Sequence, residues 1–255
     1  MKKTVVGNWK MNGSGSLLSE LAKLSGERRT QDVDVVVCPP SVYLKDAAAQ
    51  VGEILVGGQD CSEEVSGAFT GDISAKMIRD CGAMYVLAGH SERRMNHSET
   101  NETVARKVAA AQAEGLTPIL CIGETKEERL VGATLAVLHD QLAPCLDADV
   151  DLEDLIIAYE PIWSIGTGNA ASVQDIFEIM SWIKDWLCKQ GQMDQTTCLY
   201  GGSVKASNAF EVLSLSVVDG VLVGGASLNP IEFAVIVDEA GRASGAFERK
   251  QERQH

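Results

Sequence analysis

One alternation governs the chain from end to end: a short β-branched apolar run, a glycine or proline, then a stretch with helical spacing. Eight such runs predict strands, at Thr4–Asn8, Val33–Cys38, Ile54–Gln59, Met84–Gly89, Thr117–Ile122, Leu155–Glu160, Thr197–Gly201 and Gly220–Gly224. Several, such as Val33-Asp34-Val35-Val36-Val37-Cys38, are apolar almost throughout, as strands covered on both faces must be. Between them, Leu17, Leu18, Leu21 and Leu24 make one helical stripe, and Ile176, Ile179, Met180 and Ile183 another. Ser41, Ser172 and Pro230 stand where helices are expected to open. Eight βα units leave two α/β architectures, a closed (β/α)8 barrel or an open doubly wound sheet. An open sheet of this size has an edge strand with a polar face, and none of the eight runs has one, so barrel closure is expected. No linker divides the chain. Residues 1–244 are expected to form a single domain, and the charged, unpatterned residues 245–255 a frayed tail.

Charge and cysteine usage narrow the partners. The 255 residues carry 22 Lys plus Arg against 36 Asp plus Glu, a net charge of −14 with histidines neutral. That balance argues against nucleic acid, whose phosphates need clustered cations, but leaves room for one small phosphate at a local positive site. No apolar run approaches the ~18 residues that cross a bilayer. The Met-Lys-Lys-Thr-Val-Val opening lacks an apolar signal core, so neither membrane association nor export is expected. Seven cysteines without a CxxC pair read as reduced core residues of a cytoplasmic protein. No Cys/His pair has ligand spacing, so no metal is expected.

In a barrel, the loops after the strands' C-terminal ends build the active site. Here those ends carry Asn8-Trp9-Lys10, Gly89-His90-Ser91-Glu92-Arg93-Arg94, Tyr159-Glu160-Pro161, Gly201-Gly202-Ser203 and Gly224-Gly225. An amine, an imidazole, a carboxylate and two glycine turns therefore face one rim. Glu160 is either a rim carboxylate paired with a neighbouring cation or a general base, strengthened where apolar walls disfavour its ionised form. His90 is either structural or a neutral hydrogen-bond donor, since the N-terminus of a short helix disfavours imidazolium. Lys10 pairs with an acid such as Glu92, supplies charge to an anionic substrate, or does both. The glycine turns suit a phosphate gripped by backbone amides. Residues 161–169 are either a long βα loop or a lid, and Gly166-Thr167-Gly168 lacks the third glycine of a dinucleotide fingerprint. His97 and His139 have no comparable setting and read as surface residues.

Seven segments in order carry a resemblance: Gly7-Asn8-Trp9-Lys10-Met11-Asn12, Gly67-Ala68-Phe69-Thr70-Gly71, Gly89-His90-Ser91-Glu92-Arg93-Arg94, Ala158-Tyr159-Glu160-Pro161-Ile162-Trp163, Ile165-Gly166-Thr167-Gly168, Tyr200-Gly201-Gly202-Ser203-Val204 and Leu222-Val223-Gly224-Gly225-Ala226. Along essentially its full length the chain resembles the triosephosphate isomerases. The resemblance implies a TIM barrel that interconverts dihydroxyacetone phosphate and glyceraldehyde 3-phosphate without cofactor or metal. It implies Glu160 as base and His90 as neutral electrophile, Lys10 and Asn8 holding the oxygen and the substrate's charge, and Glu92 fixing Lys10. The amides of Gly166, Ser203, Gly224 and Gly225 would bind phosphate. The loop of Thr70, with Gln59 beside the interface, implies a homodimer. The chain departs from the family at Ser164 (usually Ala), Asn169 (usually Lys), Gly58 (usually Ala) and Asp60 (usually Asn). Met95-Asn96-His97-Ser98 also replaces a more aromatic, glycine-containing pattern. Two other functions compete. A Schiff-base aldolase using Lys10 needs a lysine inside a strand, and Lys10 lies beyond Trp9. A non-catalytic scaffold is at odds with the retention of Glu160, His90 and Lys10 together.

Overall fold

The apolar runs pair in chain order into a closed parallel barrel: β1 (Lys3–Asn8), β2 (Val33–Cys38), β3 (Leu55–Gly58), β4 (Tyr85–Ala88), β5 (Thr117–Ile122), β6 (Ile156–Tyr159), β7 (Thr197–Tyr200) and β8 (Gly220–Val223), which returns to β1. This is a computed structural model, and it describes residues 2–27, 33–148, 150–164, 171–191 and 196–252. Side chains alternate along the strands. Val6, Val36, Leu87, Ile119, Ala158, Leu199 and Leu222 form one buried cluster, the barrel interior. Val5, Val35, Val37, Leu120, Ile157 and Val221 belong to a second, larger one beneath the helices. Burial on both faces is why these strands show no polar alternation in sequence.

The connecting helices are α1 (Gly15–Glu27), α2 (Leu44–Gln50), α3 (Ala75–Asp80), α4 (Ser91–His97), α5 (Asn101–Ala113), α6 (Lys126–Leu130), α7 (Thr134–Asp147), α8 (Val173–Lys189), α9 (Ala209–Leu213) and α10 (Pro230–Glu252). Ser172 opens α8 as predicted. Its hydroxyl accepts from Asp175 N, and the Asp175 carboxylate accepts from Ser172 N, an arrangement worth about 1 kcal/mol. The helix then buries Ile176, Met180, Ile183 and Leu187. Ser41 instead opens a single 3-10 turn ahead of α2. α7 tolerates Pro144 because the Asp140 carbonyl, which the proline cannot pair, accepts from Asn101 Nδ2 at 3.0 Å. Residues 245–252, read from sequence as a charged tail, continue α10 as helix. Ala246, Glu248, Arg249, Lys250 and Gln251 are good helix formers, and extending an existing helix carries no nucleation penalty.

A charged cluster closes the barrel at the N-terminal ends of its strands. Lys184 donates to Asp219 Oδ2 at 2.6 Å and to Thr196 O at 2.9 Å, while Cys198 N donates to the same carboxylate oxygen at 2.9 Å. Lys3 donates to the neighbouring Val218 carbonyl.

Candidate active site

At the opposite end, Asn8, Lys10, His90, Glu160, Ser203, Gly224 and Gly225 line one cavity of about 630 Å³. The turn after β1 is built around a strained residue. Lys10 has φ +52°, a left-handed conformation that costs a side-chain-bearing residue about 1–2 kcal/mol. Three bonds hold it there. Lys10 N donates to Asn8 Oδ1 at 2.9 Å, and Gln59 Nε2 donates to Lys10 O at 2.8 Å and to Cys38 O at 2.8 Å. Asn12 Nδ2 donates to Trp9 O at 3.0 Å in the same turn. The lysine ammonium then meets Glu92 Oε1 at 2.7 Å. Gln59, expected beside a subunit interface, thus uses its amide to brace Lys10 within its own chain.

His90 caps α4. Its Nδ1 accepts from Glu92 N at 3.2 Å, which requires Nδ1 to lack a proton and places the single ring proton on Nε2. Nε2 points at Glu160 Oε1, 3.2 Å away, and both side chains are buried. Burial disfavours the charged imidazole, but the adjoining Glu160 carboxylate more than compensates and pulls the His90 pKa above its ordinary value. That pull belongs to the pair as it stands and ends when the carboxylate leaves Nε2. Glu160 shows the reciprocal effect. Burial pushes it up, yet His90, Lys10 and the Ser91 amide outweigh burial and hold it below the usual carboxylate range. Apolar walls are therefore one influence on Glu160, and its donors are the stronger one. The other oxygen, Oε2, is buried and has no hydrogen-bond partner among the described residues.

Glu160 is held between two glycines. A side chain at Gly123 would overlap the Glu160 carbonyl, and one at Gly201 would come within 2.7 Å of Glu160 Cγ. Gly224 and Gly225 differ. Among the described residues nothing crowds Gly225, and only the end of Lys10 approaches Gly224, so their packing does not require either glycine. Their bareness leaves backbone open to the cavity. Among the described residues the amides of Ser203, Gly224 and Gly225 have no backbone partner, which leaves three donors for an oxyanion. Gly166, Thr167, Gly168 and Asn169 lie outside the described residues. No three His, Cys, Asp or Glu groups converge as a metal site among the described residues.

Comparison with known proteins identifies the family. A triosephosphate isomerase family model matches residues 3–240. The triosephosphate isomerase of Ruegeria sp. (strain TM1040) is 48% identical over 238 residues, covering 92% of this chain and 97% of that one. That of Psychromonas ingrahamii is 45% identical, over 92% and 98% of the two chains. The crystal structure of the Bartonella henselae triosephosphate isomerase superposes with a TM-score of 0.86 at 40% identity, covering 94% of this chain and 99% of the other. The chain belongs to the triosephosphate isomerase family. It is an isomerase of triose phosphates on a (β/α)8 barrel.

The departures from the triosephosphate isomerase pattern now have physical settings. Ser98 takes the left-handed position that ends α4, φ +55°, a conformation glycine adopts without strain. Asp60 accepts from Lys107 at 2.8 Å and lies 3.0 Å from Arg93, so its extra charge is compensated. Gly58 leaves room for Ile78, whose Cδ1 would lie 3.0 Å from a methyl there. Ser164 is fully buried and donates to Pro161 O at 3.0 Å. Glu124, two residues after β5, is fully buried, accepts from Trp163 Nε1 at 2.9 Å and from the Tyr159 hydroxyl at 3.1 Å, and so braces the chain on both sides of Glu160.

Proposed function

We propose the following division of labour for the interconversion of dihydroxyacetone phosphate and D-glyceraldehyde 3-phosphate. Glu160 removes a proton from the carbon beside the carbonyl and returns it to the adjacent carbon. His90 Nε2–H donates to the carbonyl oxygen, stabilises the enediolate and relays its proton between the two oxygens. Lys10, held by Glu92, supplies positive charge, and Asn8 adds a donor. Hydrogens move within the substrate and no electrons leave it, so acid–base groups suffice for the chemistry. The amides of Ser203, Gly224 and Gly225 bind the phosphate. Gly166, in the lid read from the sequence, is expected to add another and to exclude water. The observation that carries this reading is the buried 3.2 Å contact between Glu160 and His90 in the same cavity as three amides without a backbone partner among the described residues. A Schiff-base role for Lys10 is disfavoured, because an ammonium bonded to Glu92 at 2.7 Å is no nucleophile.

The expected assembly is a homodimer in the cytoplasm. In support, Met11, Val65 and Phe69 are exposed apolar residues on the Lys10 turn and the loop of Thr70, which is itself exposed. Seven free cysteines, five of them buried, suit a reducing compartment. No described helix is long and apolar enough to cross a membrane. A coupled assay on the purified protein tests the chemistry: conversion of glyceraldehyde 3-phosphate without added cofactor is expected, and its absence refutes the reading. Thr70→Arg is expected to shift sedimentation toward monomer at low protein concentration. An unshifted profile would count against the interface.

A further inference from the structure

We propose that Lys205 is a capture residue, its ammonium drawing the substrate phosphate toward the backbone amides that bind it; this rests on the isomerase reading of the same cavity. Lys205 lines that cavity together with Ser203, Gly224 and Gly225. Its placement is specific. Lys205 N donates to Asn208 Oδ1 at 2.8 Å, and Asn208 Nδ2 donates to Ser203 O at 2.9 Å. The turn that presents the Ser203 amide therefore also sets the base of Lys205. Three other lysines are committed to acids: Lys10 to Glu92, Lys107 to Asp60 and Glu99, Lys184 to Asp219. Lys205 is exposed and forms no ion pair among the described residues.

That freedom matters in a protein of net charge −14, which a phosphate dianion must approach. Backbone amides carry partial charges that act at contact range, and the charge of Lys10 is largely answered by Glu92. An unpaired ammonium at the mouth exerts attraction over a Debye length, about 8 Å at physiological ionic strength. Glu232 supplies the opposite sign: it lines the same cavity, half-buried, and also forms no ion pair among the described residues. It opposes capture, so neutralising it is the mirror of neutralising Lys205.

Steady-state kinetics at low and high salt test the proposal. Lys205→Gln is expected to lower kcat/KM about three- to tenfold at low ionic strength, with kcat changed by less than about twofold. The deficit is expected to close near 0.5 M salt, as an order-of-magnitude choice well past the screening range. Lys205→Arg is expected to restore capture, and Glu232→Gln to raise kcat/KM at low salt. Lys2→Gln makes the same change in net charge at the opposite end of the barrel and serves as the control. If Lys205→Gln behaves like Lys2→Gln at both salt concentrations, or loses kcat as much as kcat/KM, the proposal is overturned. If the wild-type protein does not isomerise triose phosphates, the isomerase reading fails instead. Calorimetric titration with inorganic phosphate then decides on capture: weaker binding by Lys205→Gln upholds it, and equal binding overturns it.

Discussion

The two ends of the barrel bury the same kinds of charged group and treat them in opposite ways. At the N-terminal end every member of the cluster is answered: Asp219 takes Lys184 and Cys198 N, and Lys3 takes a carbonyl. At the C-terminal rim the bonds stop short. Among the described residues, Glu160 keeps one oxygen without a hydrogen-bond partner, Lys10 is held in a left-handed conformation, and three amides lining the cavity have no backbone partner. Unmet bonding capacity under burial is a cost to folding, and it is also what a substrate can satisfy. The contrast predicts that changes at the floor act on stability and changes at the rim act on chemistry.

The largest effect that could break this contrast is at the base. Glu160→Asp retracts the carboxylate by one methylene, and turnover is expected to fall by about 100-fold or more with phosphate binding and melting temperature close to wild type. Near-normal kcat would remove Glu160 from the role of base. Asp219→Ala is the complementary change. It removes the carboxylate that the Lys184 ammonium and the Cys198 amide share, while Lys184 keeps its bond to Thr196 O, at an expected loss of about 1.5–3 kcal/mol in chemical denaturation. Turnover of the folded fraction is expected to stay at the wild-type level. A variant that keeps its stability but loses turnover would show that the two ends are not separable in this way.

How far each end was legible in sequence differs for the same physical reason. The eight strands appear within a residue of their predicted ends, because burial on both faces writes itself as continuous apolar runs. Asn8, Lys10, His90, Glu160 and Ser203 were legible as the polar residues closing those runs, and the cavity brings them together. Glu124 closes β5 in the same way, but its partners, Tyr159 and Trp163, are distant in sequence and reveal its role only once the barrel closes. Gln59 was placed by family likeness at an interface, whereas its hydrogen bonds to Lys10 and Cys38 depend on three strand ends meeting. The floor cluster escaped sequence reading altogether. Lys3, Lys184 and Asp219 come from far apart in the chain, and no motif links them. The continuation of α10 through 245–252 leaves no periodic signal, because helix extension needs good formers rather than an apolar stripe.

The smallest effect sharpens the rim itself. Two influences act on His90 in opposite directions: burial lowers its pKa, and contact with the Glu160 carboxylate raises it further than burial lowers it. Glu160→Gln keeps the size of the side chain and removes the charge, which leaves burial and Lys10 pulling downward against the weaker upward pull of Glu92. The His90 titration, followed by the 15N shifts of its ring, is therefore expected to move to lower pH in the variant. In that variant the imidazole stays neutral further into the acid range. Nδ1 is expected to remain the unprotonated, acceptor nitrogen, since Glu92 N still faces it at 3.2 Å. The same displacement accompanies catalysis in this reading: as Glu160 swings from Nε2 to a substrate carbon, the upward pull on His90 ends. The ring is then left as the neutral donor that the enediolate requires. A titration midpoint unchanged by Glu160→Gln would mean that the 3.2 Å contact does not govern the imidazole, and the rim would then lack the coupling that sets it apart from the floor.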